Sequence, residues 1–300
     1  MIGIIILNYN TWETTIECVT SIQETNVIKN RIYIVDNNSL NNSYESLCNA
    51  YSQHNDVEII KSTENGGFAK GNNIGIREAM KAGCDYIVVV NNDVIFKKNS
   101  INEMLLALKN NENAVIVGPK IISPEGITQK SITNQKQSVL EYIGINSLIS
   151  SKDNKNNFDS LEINNVEKVY SVSGCCLMIN APKFIEMGAF DENTFLYNEE
   201  NIYSYQANSN KLDILYIPTA VVIHNHGTTT GKMNLFICTE FIKSGMYYWT
   251  KYRKKKFQLL FFIWLIYTSK YAVKSIYMKD MRKGWENYLK ETFRCLLQTF

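Results

Sequence analysis

Asn65-Gly-Gly-Phe-Ala-Lys-Gly-Asn-Asn73 leads through a helix-like stretch, Ile74 to Ala82, into Tyr86-Ile-Val-Val-Val-Asn-Asn-Asp-Val94. The apolar run Tyr86 to Val90 has the pattern of a strand buried on both faces of a parallel sheet. A glycine- and asparagine-rich loop that opens a helix lets backbone N–H groups come close to an anion. Asp93 follows the strand directly, where a carboxylate can hold the metal of a bound diphosphate. Plain solvated turns would use the same residue types, so the reading depends on the rest of the chain.

Upstream, Ile2 to Leu7 reads as a first buried strand ending in Asn8-Tyr9-Asn10, and Thr11 caps a helix through about Gln23. Arg31 to Val35 is a second strand, closing in Asp36-Asn37-Asn38-Ser39. A short helix, Tyr44 to Tyr51, and a third strand, Val57 to Lys61, lead into the opening loop. This β-α-β-α-β-α-β alternation predicts an α/β fold with a doubly wound, mainly parallel sheet flanked by helices. Ligands of such sheets bind beyond the carboxyl ends of the strands. Here those ends are Asn8 and Asn10, Asp36 and Asn38, Asn65, and Asp93. The first strand is not followed by G-x-G-x-x-G, which argues against a classical dinucleotide fold.

Downstream, a helix over Ser100 to Asn110 and a strand over Ala114 to Val117, ending at Gly118-Pro119, continue the pattern. Residues 123 to 166 are irregular and are expected to form an excursion near an acceptor. A strand over Cys175 to Ile179, a helix from Lys183 to Met187, a helix that Phe195 to Glu200 opens and that runs through about Ser209, and short strands Leu212 to Ile217 and Ala220 to Ile223 follow. The organisation expected is a catalytic domain over 1–234, with halves at about 1–122 and 123–234, and a helical, basic and aromatic extension over 235–300.

Hydrophobic content of 45%, charged content of 20% and a net charge of +2 describe an ordinary globular chain with no general attraction to nucleic acid. Seven cysteines without CxxC spacing suggest buried thiols in a reducing cytoplasm rather than disulfides or zinc. Met1 to Leu7 lacks the features of a signal peptide. The apolar run Leu259 to Tyr267 is shorter than a bilayer span.

Beyond Asp93, Glu199 and Glu200 stand behind Phe195-Leu-Tyr197, where a carboxylate can act as general base toward an acceptor hydroxyl. Adjacent helical residues point about 100° apart, so the two would not share one task. His224 and His226, at i and i+2 after a strand, point to one side and suit the same cation as Asp93 or a phosphate. Asp36 stands where it would accept hydrogen bonds from an imide N–H or from hydroxyls. Residues 247–267 join Lys251-Tyr-Arg-Lys-Lys-Lys256 to Phe261, Phe262 and Trp264, a composition suited to peripheral contact with the inner face of the cytoplasmic membrane.

Taken in order, these motifs resemble the family 2 glycosyltransferases of GT-A fold, especially the rhamnosyltransferase-like branch. The stretches that carry the resemblance are 5–10, 35–39, 65–73, 90–94, 173–179, 188–192, 195–200 and 224–227. It implies nucleotide binding by Asn8, Asn10, Asp36, Asn38, Asn65, Gly67, Phe68, Asn72 and Asn92. Asp93 then occupies the metal-binding place, with a divalent cation (Mg²⁺ or Mn²⁺) as cofactor and His224 or His226 beside it. Glu200 is the implied general base and Glu199 its neighbour, although the family usually has Glu-Asp at this pair. The implied reaction is an inverting transfer from a UDP- or dTDP-linked sugar to a saccharide or lipid-linked saccharide. An alternative is a nucleotide-sugar-binding assembly partner with impaired turnover. In this light the glycine-rich loop serves the nucleoside more than the phosphates.

Overall fold

The computed structural model describes residues 1–25, 28–144, 165–225 and 234–298. Its strands are β1 (Ile2–Asn8), β2 (Asn30–Asp36), β3 (Val57–Lys61), β4 (Tyr86–Asn91), β5 (Val94–Phe96), β6 (Ala114–Ile122), β7 (Ile132–Thr133), β8 (Glu167–Val169), β9 (Ser171–Val172), β10 (Cys176–Asn180) and β11 (Asp213–His224). The main sheet has nine strands in the order β3-β2-β1-β4-β10-β6-β11-β5, with β8 on the side of β11. β3, β2, β1 and β4 are parallel, as the alternation predicts. β10 inserts antiparallel between β4 and β6, and β5 pairs antiparallel with β11.

Register explains how the polar ends meet. Asn8 lies opposite Asp36, and Leu7 opposite Asn91. The antiparallel β10 starts at this same edge, with Cys176 opposite Val90, so Gly174 and Cys175 arrive there too. β11 ends there as well, with His224 opposite Val94.

Helices α1 (Trp12–Thr25), α2 (Ser43–Ala50), α3 (Gly67–Lys81), α4 (Ser100–Asn110), α5 (Val139–Tyr142), α6 (Ala181–Glu186) and α7 (Glu199–Ser209) accompany the sheet. Alternate residues of β1 divide the core: Ile4 and Ile6 pack with Cys18 and Met104 on one face, Ile5 with Ile76 and Phe184 on the other.

The structure corrects three element boundaries. The loop expected over 65–73 becomes helix from Gly67. Its glycines serve packing: a Cβ at Gly71 would come within 2.4 Å of Leu7 Cδ1, and one at Gly75 within 2.5 Å of Ile5 Cγ2. The strand at Ala114 runs on through Gly118-Pro119 to Ile122. The two strands expected over 212–223 are one, with a register shift between Ile217 and Val221.

The C-terminal part is helical: α8 (Leu235–Tyr247), a π-turn segment Tyr248–Tyr252, α9 (Phe257–Tyr277) and α10 (Trp285–Gln298). It forms its own apolar cluster around Trp249, Leu260, Tyr271 and Tyr288, joined by Tyr142 and by Ile202 of α7. Asp191 ties it to the sheet domain by accepting from Tyr247 Oη at 2.8 Å, Lys251 Nζ at 3.1 Å and Tyr252 Oη. Burial alone would raise the Asp191 pKa, but these donors and Asn193 bring it below the usual carboxylate range. The apolar run at Leu259 belongs to a longer element than expected. By length and composition α9 is able to cross a membrane, yet Leu260, Ile263 and Tyr271 pack into the C-terminal cluster.

Candidate active site

At the β1–β2 end, Asp36 is fully buried and accepts three hydrogen bonds: from Asn8 Nδ2 at 2.8 Å, Ser39 N at 3.0 Å and Ser39 Oγ at 2.6 Å. Asn8 Oδ1 in turn accepts from Thr15 Oγ1 at 2.8 Å. Asn10 and Asn38 both have positive φ, 61° and 59°, which asparagine tolerates. Asn38 is partly exposed at the sheet edge.

The turn before α3 is held from two sides. Asn37 Nδ2 donates to Asn65 Oδ1 at 2.9 Å and to Gly67 O at 3.1 Å. Gly66 N donates to Asn37 Oδ1, Gly67 N to Asn65 Oδ1, and Phe68 N to Phe195 O at 2.9 Å. Three of the N–H groups offered for a phosphate cradle therefore already have protein acceptors. Gly67 has φ +75°, and a Cβ there would stand 2.0 Å from Phe195 O, so this position requires glycine. Asn72 donates to Phe68 O at 3.0 Å within α3.

The second cluster forms where β4 and β11 end. Asp93 Oδ1 lies 3.3 Å from His224 Nε2, and both side chains are buried. Burial alone would lower the His224 pKa, but the Asp93 carboxylate and the Cys175 thiol push it up to about 10. Asn92 turns the other way and donates to Thr11 Oγ1 at 2.7 Å and Thr15 Oγ1 at 2.9 Å, fixing the start of α1. His226 lies outside the described residues. Among the described residues no group of three or more His, Cys, Asp and Glu is arranged to hold a metal. The Asp93 carboxylate still fits Mg²⁺ or Mn²⁺ that keeps water and substrate oxygens as its other ligands, and His224 would have to lose its ring proton to join it.

The third cluster opens α7. Tyr197 and Asn198 both have left-handed backbone, φ 70° and 64°, a costly conformation for a tyrosine that gathers at functional sites. Glu200 Oε1 accepts from Gly174 N at 3.1 Å. Glu199 Oε2 is buried with no hydrogen-bond donor among the described residues. Burial, then the Glu200 charge, pushes the Glu199 pKa well up. Burial also raises Glu200, against the hydrogen bond from Gly174. The charge of one member disfavours the charge of the other, so the two titrate as a pair.

The segment Gly174–Cys175 joins the clusters. Gly174 meets Glu200, a Cβ on Gly174 would also reach Phe68 Cζ at 3.7 Å, Cys175 O accepts from Asn91 N at 2.8 Å, and the Cys175 thiol faces His224. The sequence reading missed the parts played by Asn37, Ser39, Gly174 and Tyr197. A glycine at 174 was the visible signal, because a Cβ there would stand 3.0 Å from Glu200 Oε1 and would push that carboxylate aside.

A model of the family described as glycosyl transferase family 2 matches residues 3–180. The low-salt glycan biosynthesis hexosyltransferase Agl10 of Haloferax volcanii is 27% identical over 187 residues, covering 62% of this chain and 57% of that protein. The N-acetylglucosaminyl-diphospho-decaprenol L-rhamnosyltransferase of Mycobacterium tuberculosis is 27% identical over 154 residues, 49% of each chain. The chain spans about half the length of the curated relatives it matches. Among solved structures, GalNAc-T7 with UDP, GalNAc and Mn²⁺ aligns with a TM-score of 0.62 at 14% identity, over 84% of this chain and 49% of that one. TarS 1–349 of S. aureus aligns with a TM-score of 0.56 at 12% identity, over 98% and 80%. These likenesses bear out the GT-A-type fold.

Proposed function

The chain belongs to glycosyl transferase family 2, and from that premise we propose that it moves a sugar from a nucleoside-diphosphate sugar to a hydroxyl of a glycan or lipid-linked saccharide, with inversion. The observation that carries this reading is the Glu200–Gly174 contact at 3.1 Å, which sets a carboxylate of raised pKa beside the segment whose Cys175 also faces His224. A base of raised pKa accepts a proton from a hydroxyl more readily than an ordinary carboxylate.

In this mechanism the Asn8, Asp36 and Asn65 edge receives the nucleoside, with Asn10, Asn38 and Phe68 around it. Asp93 would hold a divalent cation, Mg²⁺ or Mn²⁺, with His224 joining it only by giving up its ring proton, and the cation would supply positive charge against the diphosphate. Burial and the neighbouring charge favour the neutral form of Glu199, and this mechanism assigns the charge of the pair to Glu200. The acceptor oxygen attacks the anomeric carbon in line, its proton passes to Glu200, and the nucleoside diphosphate leaves with the electrons of the broken bond. Relatives named for a hexosyl transfer and for a rhamnosyl transfer to a diphospho-decaprenol acceptor support this substrate class. Peripheral membrane contact through 247–267 is part of the same reading.

The test is thermal unfolding with UDP or dTDP, each with Mn²⁺ or Mg²⁺. One nucleotide should raise Tm in a metal-dependent way, and ligand at about 100 times its Kd stabilises by about 2.7 kcal/mol. No shift with either nucleotide rejects the reading. A shift without sugar transfer or hydrolysis favours the assembly-partner alternative.

A further inference from the structure

A cavity of about 800 Å³ lies between α8 and α9 and meets the clusters described above at Tyr197. Ile237, Cys238 and Phe241 form its α8 wall, and Tyr267, Tyr271 and Val273 its α9 wall. Its cations are Lys270 and Lys274, and Tyr197 forms part of the lining. The volume is that of a site for a sizeable small molecule.

Tyr197 links this cavity to the chemistry. It stands two residues before Glu199, and its ring meets Phe241 edge-on at 5.9 Å. The cavity lining and the Phe241 contact thus fall on the residue that leads into the acidic pair. Lys270 donates to Ile143 O, but an ammonium has three donors. The charge of the chain is also divided: residues 235–300 carry 13 Lys and Arg against four Asp and Glu, and residues 1–234 carry 18 against 25. A cationic extension around an apolar cleft matches an amphiphile with an anionic linkage.

We propose that the α8–α9 cavity receives the apolar chain of a lipid-linked saccharide acceptor, with Lys270 and Lys274 meeting its phosphate linkage and the saccharide directed past Tyr197 toward Glu200. This rests on the transferase reading above. A free sugar has no use for walls of Ile237, Phe241 and Val273. A bilayer would meet the outward side chains of α9, such as Phe262, Leu265 and Ile276, rather than a cleft between two helices. The apolar walls give the chain a place to leave water, and the lysines fix which end faces the acidic pair.

The probe is farnesyl diphosphate, added to the full chain and followed by tryptophan fluorescence. It should bind, and Val273→Trp, which fills the cavity from an exposed position, should weaken it at least tenfold. Lys274→Glu should do the same. Both variants should keep the wild-type thermal shift with nucleotide, which shows that they fold. Inorganic diphosphate alone should not bind at this site. No binding, equal binding by wild type and both variants, or displacement by saturating UDP overturns the proposal. So does binding to phosphatidylglycerol vesicles without binding to farnesyl diphosphate. Cavity binding that persists when no nucleotide raises Tm breaks the transferase reading and leaves the class of cavity ligand standing.

Discussion

The end of β2 and the start of α7 each bury a carboxylate, and they treat it in opposite ways. Asp36 receives three donors, from Asn8 and Ser39. Glu199 has an oxygen that meets no donor among the described residues, and Glu200 receives one backbone N–H. A carboxylate with its acceptor sites filled is held in one place. A carboxylate pair short of donors is held at raised pKa, which costs stability and prepares one member to take a proton. The first region organises the site and the second does its chemistry.

Three variants test this contrast. The largest effect is expected for Glu200→Gln, which removes the base and keeps the shape. Transfer should fall by roughly 10²–10⁴-fold, while the Tm shift with nucleotide stays as in wild type. A retained transfer rate removes Glu200 from the base role. Next comes Asp36→Asn, which turns an amide toward donors that expect a carboxylate. It should cost about 1–3 kcal/mol in denaturant unfolding. An unchanged midpoint would show that those hydrogen bonds do not organise the turn.

The smallest effect is on pH dependence. The acidic pair has folded pKa values above the unfolded value near 4.5. Its contribution to stability is therefore complete below about pH 4.5 and is lost as pH rises through the raised folded values. Urea midpoints of Glu199→Gln/Glu200→Gln should fall less than those of wild type between pH 4.5 and neutrality. Equal slopes would mean that the pair titrates as if exposed.

The parallel half of the fold was legible because its strands are continuous apolar runs between turn residues, and Val57–Lys61 and Ser100–Asn110 have the bounds expected. The start of α3 was less legible. Gly67, Gly71 and Gly75 suggest a loop from local preference, but close packing on Leu7 and Ile5 selects a helix with small residues facing the sheet. The length of α9 was hidden because Lys270 and Lys274 interrupt its apolar run without interrupting the helix.

The sequence by itself determined the family, the alternating α/β plan and which acidic residues to inspect, because motif order and periodicity are local properties of the chain. Tertiary structure alone decided which of these groups meet. β10 runs antiparallel into the sheet and delivers Gly174 to Glu200. β11 ends opposite β5 and delivers His224 to Asp93. Only there does the difference between a satisfied carboxylate and a poised one become complete, since Ser39 is local to Asp36 but Asn8 and Gly174 donate from 28 and 26 residues away in the chain, and burial is recorded by no local pattern.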